Sequence, residues 1–250
     1  MSKKRRYKIL DILRGVTLIQ MILYHGIWDL VYIFDKNFPW YEGPLAYLWQ
    51  QSICWTFILL SGFCWSFGKN KLKRGGLVFS CGIVITMITI LFLPSEKIIF
   101  GILTFLGSSM LLMIPFHFIL KKVNPSLGVF LSLLLFFLFR NINIGYLGFE
   151  QWNIRKLPEH WYHDYFTAFI GFPSVEFQST DYFSLFPWFF LFLTGYFLYH
   201  RLQQKNKLDS LYNIKLSLPV IEWLGRKSLL VYMLHQPVVY GILCLVNLIQ

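Results

Sequence analysis

The sequence predicts an all-α protein, a polytopic transmembrane helical bundle of about seven helices. Hydrophobic residues fill 56% of the 250 positions and charged residues only 14%. The apolar residues form unbroken stretches of about 20 residues, the length that an α-helix needs to cross the hydrocarbon core of a bilayer. A soluble helix needs polar residues on its water-facing side, and few interrupt residues 183–199 or 229–249. The composition therefore excludes an ordinary soluble domain.

The predicted crossings follow from counting about 20 residues for each. They are residues 9–33, 45–67, 76–94, 98–119, 125–140, 183–202 and 228–249. The first segment carries ionisable residues and lacks a small-residue cleavage site, so we expect it to remain as a transmembrane helix. The sequence has no internal repeat and no linker. These observations predict a single integral-membrane domain over residues 1–250.

The charge distribution predicts the orientation of these helices. The net charge is +11, but the basic residues lie in short clusters between apolar stretches, a pattern typical of the positive-inside rule and not of a nucleic-acid surface. The clusters are residues 3–8, 69–74, 121–122, 201–207 and 226–227. Alternating crossings from a cytoplasmic N-terminus place every cluster inside. The prediction is a multi-pass cell-membrane protein with an extracytoplasmic C-terminus, whose partner is the lipid bilayer and not nucleic acid.

The cysteines give no sign of a disulfide or a metal site. Cys54, Cys64, Cys81 and Cys244 all lie in apolar segments, without CxxC spacing and without a histidine at ligand spacing. The interpretation is that they are small buried apolar residues. No metal is predicted.

The longest connection, residues 141–182, is predicted to lie outside and is rich in aromatic residues. A connection of this length without structure of its own is usually functional or packed as a lid. Residues 167–172 are too few to cross the bilayer, so we expect a re-entrant or interfacial segment there.

The first helix carries the strongest functional signal. Asp11, Arg14, His25 and Asp29 fall within roughly 60° of one another at about 100° per residue, so they form one polar stripe. Charged groups inside a bilayer cost about 2.5 to 3.5 kcal/mol each and are rarely kept without a use. Asp11 can pair with Arg14, and His25 with Asp29. The alternative is that the four groups only pair with one another and fix helix packing.

A histidine held by a carboxylate can act as a general base in catalysis. His25 could take a proton from an amine or hydroxyl as that group attacks a carbonyl, while Asp29 fixes the tautomer and stabilises the imidazolium. Further site candidates are polar residues within other apolar segments. They are Gln50 and Gln51 in the second helix and His235 and Gln236 before Pro237 in the last helix.

The spacing of Arg14 and His25 resembles the Arg-x10-His motif of sugar-modifying membrane acyltransferases. Further segments extend the resemblance over nearly the whole chain. They are Asp11-Ile-Leu-Arg14-Gly15, Phe57-Ile-Leu-Leu-Ser61-Gly62-Phe63, Phe100-Gly101-Ile102-Leu103, Asp181-Tyr-Phe-Ser-Leu-Phe-Pro187-Trp188, Gly195-Tyr196 and Trp223-Leu-Gly225-Arg226-Lys-Ser228-Leu-Leu-Val-Tyr232-Met-Leu-His235-Gln236-Pro237. Together they resemble bacterial relatives of the heparan-alpha-glucosaminide N-acetyltransferase catalytic domain.

The resemblance implies an acyltransferase that moves an acetyl group from acetyl-CoA, its acyl donor and co-substrate, to a sugar amine or hydroxyl of an envelope glycan. His25 and Asp29 are then the expected catalytic residues. Arg14 with Asp11 would contact the anionic donor, as a guanidinium binds phosphates. Gln50, Gln51, His235 and Gln236 are the remaining expected substrate contacts. The resemblance leaves open whether the protein forms a homodimer.

Three alternatives remain at this point. A covalent acyl-histidine route would make His25 a nucleophile in place of a base. A small proton-linked transporter could use the same ionisable stripe as a proton relay, although it would be expected to show an internal repeat. A noncatalytic membrane subunit could use the stripe to bind a partner helix.

Overall fold

The structure, a computed structural model, describes residues 6–249, so part of the basic cluster at residues 3–8 lies outside the described residues. The described residues form ten α-helices. They are α1 Lys8–Tyr32, α2 Pro44–Trp65, α3 Lys71–Phe92, α4 Ile102–Leu120, α5 Pro125–Phe139, α6 Tyr165–Ile170, α7 Leu185–Gln204, α8 Leu208–Tyr212, α9 Pro219–Arg226 and α10 Ser228–Ile249. The seven longest coincide with the seven predicted crossings. The all-α prediction is confirmed.

Five of the described segments are long and apolar enough to cross a membrane. They are Lys8–Tyr32, Lys71–Phe92, Ile102–Leu120, Pro125–Ile144 and Ser228–Leu248. Helices α2 and α7 are as long, with 22 and 20 residues, but lie outside this group. The polytopic membrane fold is thus confirmed, while the orientation of the termini stays a prediction.

Local sequence explains where several of these helices begin. Asn124 precedes α5 and accepts hydrogen bonds from the backbone N–H groups of Ser126 and Leu127, and Pro125 occupies the first helical position. The carboxylate of Asp164 accepts from the backbone of Thr167, whose hydroxyl accepts in return, so α6 begins with a capping box. These side chains satisfy N–H groups that have no partner inside their helix.

The chain divides into two compact units. The first comprises Met1–Phe57 and Asn206–Gln250, and the second comprises Ile58–Lys205. In the first unit α1 packs against α9 and α10. A Cβ added at Gly225 would fall on the carbonyl of Asp11, and one at Gly15 would fall on the carbonyl of Ile221. Glycine on both sides therefore lets α1 and α9 approach closely. The prediction of a single domain stays a prediction.

In the second unit α3 packs against α4, and α5 packs against α7. A Cβ at Gly62 of α2 would fall on the carbonyl of Phe192, and one at Gly195 of α7 would fall on the carbonyl of Leu59. Gly62 therefore allows the backbones of α2 and α7 to approach closely. Gly195 supplies the matching small residue on α7.

The region between α5 and α7 contains a hairpin that the sequence analysis did not predict. Strand β1 Tyr146–Phe149 pairs antiparallel with β2 Trp152–Lys156, with an irregularity between Leu147 and Gly148. Gly145 and Gly148 have φ angles of 89° and 142°, which only glycine adopts without strain. Helix α6 overlaps the expected short segment at residues 167–172. Its placement at the membrane interface stays a prediction.

The segment before α7 is joined to the start of α4 by side-chain and backbone hydrogen bonds. The Asp181 carboxylate accepts from the N–H of Ile102 across 3.2 Å, and the Ser179 hydroxyl accepts from the N–H of Ile99 across 2.9 Å. The backbone N–H of Phe183 also donates to the carbonyl of Phe100. Asp181 thus satisfies an N–H in the first turn of α4.

Candidate active site in the first unit

One pair of the polar stripe predicted on α1 is formed, that of Asp11 with Arg14. Arg14 donates to the Asp11 carboxylate across 3.3 Å, and Arg6 donates to the same carboxylate across 2.7 Å. Asp11 is buried, with 6% of its surface exposed, whereas the Arg14 side chain is 24% exposed. Two cations share one carboxylate, so this end of the stripe carries an excess of positive charge. A partly exposed guanidinium in such a place is suited to an anionic ligand.

His25 and Asp29 are arranged differently from the prediction. Asp29 is fully buried, and its Oδ1 accepts a hydrogen bond of 2.6 Å from the side-chain amide of Gln236 on α10. Among the described residues, His25 and Asp29 form no hydrogen bond. Four-residue spacing allows two side chains on one helix to meet, but the amide on the neighbouring helix supplies the donor here. Asp29 therefore holds Gln236 directly, and its expected direct contact with the imidazole is not formed.

His25 instead faces a second histidine. The imidazole rings of His25 and His235 lie 5.1 Å apart between centroids and are inclined by 60°. His235 is 9% exposed, so it lies in the interior of this unit. Pro237 lies inside α10 and has no N–H to donate to the preceding turn.

The hydrogen bonding of His235 determines where its proton lies. Its Nδ1 is 2.6 Å from the backbone carbonyl of Tyr232, and a carbonyl oxygen can only accept. Nδ1 therefore donates, and the neutral ring presents Nε2 as an acceptor. That Nε2 is buried and has no partner among the described residues.

Two further buried acceptors share this region without a hydrogen-bond partner in the described part of the chain. They are Oδ2 of Asp29 and Oε1 of Gln236. Buried polar atoms are normally satisfied, because each one left unpaired costs about 1 to 3 kcal/mol. Three unpaired acceptors from adjacent side chains suit a ligand that brings several O–H or N–H donors. A sugar hydroxyl or amine is such a donor.

An aromatic cluster beside His25 was missed by the sequence analysis. Tyr41, in the connection between α1 and α2, is buried and donates to the backbone carbonyl of Tyr24 across 3.0 Å. The ring of Trp49 lies 5.3 Å from that of Tyr24, which itself lies 6.1 Å from the ring of His25. Burial raises the pKa of the Tyr41 phenol above its ordinary value, so it stays protonated as a donor. The signal that could have revealed the cluster is the run of aromatic residues at 40 and 41.

The two glutamines of α2, which were also expected to contact substrate, have different surroundings. Gln50 is exposed on α2, and Gln51 accepts a hydrogen bond of 3.0 Å from the indole of Trp55 in its own helix. Their role as substrate contacts stays a prediction. No group of three or more histidine, cysteine or acidic residues within residues 6–249 could hold a metal ion.

Comparison with protein families now places the chain. The family model described as "Heparan-alpha-glucosaminide N-acetyltransferase, catalytic" matches residues 6–237. The chain belongs to this family. The match runs from Arg6, which pairs with Asp11, to Pro237, directly after the His235-Gln236 pair, so the whole candidate site lies within it.

Membership of the heparan-alpha-glucosaminide N-acetyltransferase catalytic family confirms the resemblance inferred from the sequence. It makes the chain a member of a transmembrane acetyltransferase family, and with the apolar helices it makes the chain a membrane protein. No curated protein and no solved structure matches the chain.

Proposed function

We propose that this protein transfers an acetyl group from acetyl-CoA to a sugar amine or hydroxyl of an envelope glycan, and that the His25–His235 pair is its active site. The observation that carries the proposal is the set of buried, unpaired acceptors next to two imidazoles. An attacking hydroxyl or amine must lose a proton, and a neutral imidazole within hydrogen-bond reach can take it.

The chemistry balances with these groups. The acceptor O–H or N–H donates to Nε2 of His235 or to the ring of His25, and the oxygen or nitrogen attacks the acetyl carbonyl carbon. The imidazole takes the proton, the C–S bond breaks, and the thiolate takes that proton from the imidazolium. The products are an acetyl ester or amide and free thiol. Two adjacent rings allow one to accept the proton while the other donates a hydrogen bond.

Asp29 and Gln236 then act on either side of the reaction. The Asp29 carboxylate fixes the Gln236 amide, which leaves the amide oxygen to accept from the sugar. The buried negative charge of Asp29 also stabilises an imidazolium on the same helix, one turn away. Arg14, at the inner end of α1, contacts the anionic part of the donor in this proposal.

The proposed function is tested by the transfer of radiolabelled acetyl from acetyl-CoA to glycans in membranes that contain matched amounts of each variant. We expect transfer by the parent protein and its loss in His25→Ala and in His235→Ala. His160→Ala, an exposed histidine outside the apolar helices, should retain activity. Absence of transfer by folded parent protein over a broad range of glycans would overturn the proposal and favour a transporter or a noncatalytic subunit.

The unpaired Nε2 of His235 also fits a covalent route. As a nucleophile it would attack the acetyl carbonyl and hold an acetyl-imidazole until the sugar arrives. Incubation with labelled acetyl-CoA and no acceptor separates the two routes. Label that binds to the parent protein but not to the His235→Ala variant would support the covalent route. If the parent protein is fully active but binds no label, the covalent route is excluded.

A further inference from the structure

The second unit contains its own cluster of polar and aromatic side chains. Four helices contribute to it at the ends that carry the basic clusters in the sequence. The members are Trp65 at the end of α2, Lys71 at the start of α3, His117 in the last turn of α4, and Tyr196 and His200 on α7. The proposed acetyl transfer uses none of them.

Direct contacts fix the two histidines of this cluster. Nδ1 of His117 lies 2.8 Å from the hydroxyl of Tyr196, and the Tyr196 ring lies 4.4 Å from the ring of His200. The two imidazoles are 6.3 Å apart between centroids. Tyr196 is fully buried and contacts both histidine side chains, so it links His117 of α4 to His200 of α7.

Lys71, the cationic member of the cluster, has no carboxylate partner among the described residues. The Lys71 ammonium lies 3.5 Å from the centroid of the Trp65 ring, and no acidic group within residues 6–249 forms an ion pair with it. It is close enough to interact electrostatically with both His117 and His200. Trp65 is itself fixed by a hydrogen bond of 3.0 Å from its indole to the carbonyl of Met110.

A second polar atom of the cluster is also unsatisfied. Nε2 of His200 is buried and has no hydrogen-bond partner in the described part of the chain. The cluster thus contains two groups that a ligand could satisfy. The Lys71 ammonium contacts an aromatic ring but no negative charge, and Nε2 of His200 has no hydrogen-bond partner among the described residues. No acidic side chain belongs to the cluster. A ligand that satisfies both groups carries negative charge for the ammonium, and for the imidazole nitrogen either an acceptor oxygen or an O–H group.

We propose that Lys71, His117 and His200 form a binding site for a phosphate group. A lysine is a common point-charge partner of phosphate. An imidazole nitrogen adds a directed hydrogen bond, as a donor to a phosphate oxygen or as an acceptor from a phosphate O–H. Under the predicted topology the site lies on the cytoplasmic side. There the phosphate comes either from a free nucleotide-bearing molecule such as coenzyme A or from the headgroup of an anionic phospholipid. The binding itself does not depend on the proposed acetyl transfer.

The test is direct binding to the purified full-length protein in detergent, with coenzyme A and phosphatidylglycerol as separate probes. We expect Lys71→Gln to weaken binding of one probe by about tenfold or more, the effect of removing a hydrogen bond to a charged group. His200→Phe should weaken it too, because it keeps an aromatic ring and removes the nitrogen that would bind the phosphate. Lys71→Arg should retain most of the affinity.

Lys73→Gln is the matched control, because Lys73 is an exposed lysine about half a turn further along the same helix. Selective loss of coenzyme A binding identifies the free phosphate, and selective loss of phosphatidylglycerol binding identifies the lipid. No binding of either probe, or equal weakening by Lys73→Gln, overturns the proposal. Thermal stability of each variant shows that it is folded. Since coenzyme A carries no acetyl group, the result stands whether or not the protein transfers acetyl.

Discussion

Gln236 donates its side-chain amide to Asp29 across 2.6 Å, joining residues 207 positions apart in the sequence. The bond ties α10 to α1 at the depth of the two histidines. Asp29 is fully buried, so this hydrogen bond offsets part of the free energy lost when its carboxylate leaves water. The hydrogen bond therefore links the stability of the first unit to the shape of its candidate site.

Replacement of Gln236 by leucine should destabilise the protein. The Asp29 carboxylate would lose its hydrogen-bond donor, and we expect a loss of about 1 to 3 kcal/mol. Thermal unfolding in detergent measures the effect. Gln50→Leu is the control, since Gln50 is exposed and its loss should change stability by less than about 0.5 kcal/mol.

A double-mutant cycle with Asp29→Asn isolates the pair. If the hydrogen bond carries the effect, Gln236→Leu should cost much less in the Asp29→Asn background than in the parent. Strictly additive losses would show that Gln236 acts through other contacts.

His235→Asn should separate folding from activity. The asparagine amide can occupy the place of Nδ1 and still donate to the Tyr232 carbonyl, but it has no atom in place of Nε2. We expect acetyl transfer to fall about 100-fold or more, as for loss of a general base, with little change in thermal stability. Transfer rates and melting temperatures of the two proteins measure this. Full activity in His235→Asn would show that Nε2 takes no part in the reaction.

The fold was largely predictable because membrane helices have a strong one-dimensional signal. A stretch of about 20 apolar residues has few alternatives to a helix in lipid, so α1 to α5, α7 and α10 were all found. The β1–β2 hairpin was not found. It depends on glycine at two positive φ angles and on pairing across a short turn, and neither leaves a periodic pattern in the sequence.

The candidate site was predictable only within one helix. Helical spacing placed Asp11 beside Arg14, and the structure shows that pair. The same spacing suggested that His25 would meet Asp29. Spacing within α1, however, contains no information on which side chains of α10 lie opposite them. His235 and Gln236 lie more than 200 residues away in the sequence, and packing of α10 on α1 decides that they face the stripe.

The glycine pairs at the helix crossings should not tolerate a methyl group. Gly195→Ala would place a Cβ on the Leu59 carbonyl, and Gly225→Ala would place one on the Asp11 carbonyl. We expect each to lower stability by about 1 to 3 kcal/mol, because backbone atoms cannot move aside as a flexible side chain can. Thermal unfolding measures the loss.

Two helical glycines in open space provide the control for this experiment. A Cβ at Gly76 or Gly241 would meet nothing within 4 Å. Alanine there should be neutral or raise stability by up to about 1 kcal/mol, since glycine is a poor helix former. Equal effects at all four positions would indicate that helix propensity, and not close packing, decides the outcome.

Asp181 should make stability depend on pH. Burial raises the pKa of its carboxyl above the ordinary value, to about 6, despite the opposing hydrogen bond from Ile102. An acid with a raised folded-state pKa contributes most stability below its unfolded pKa, and that contribution is lost as pH rises through about 6. Asp181→Asn keeps an oxygen for Ile102 and removes the charge. Its melting temperature relative to the parent should therefore rise between pH 4 and pH 8.

Asp164 provides a control of opposite sign. Hydrogen bonds from the Thr167 backbone lower the pKa of its carboxyl. Its contribution is present above the ordinary aspartate pKa and lost only in stronger acid, so Asp164→Asn should show no such rise between pH 5 and pH 8. A flat difference for Asp181→Asn over the same range would contradict a raised pKa at Asp181.

Single cysteines should test the predicted topology, because the positive-inside rule places residues 121–122 in the cytoplasm and residues 141–182 outside. Lys122 and Trp152 are both exposed, so each position accepts a cysteine without loss of packing, in a background that lacks the four natural cysteines. A membrane-impermeant maleimide added to intact cells should label Trp152→Cys and leave Lys122→Cys unlabelled until the membrane is opened. The reverse pattern would invert every crossing. It would also place Arg14 at the outer surface, where cytoplasmic acetyl-CoA has no access, and the proposed direction of transfer would then be wrong.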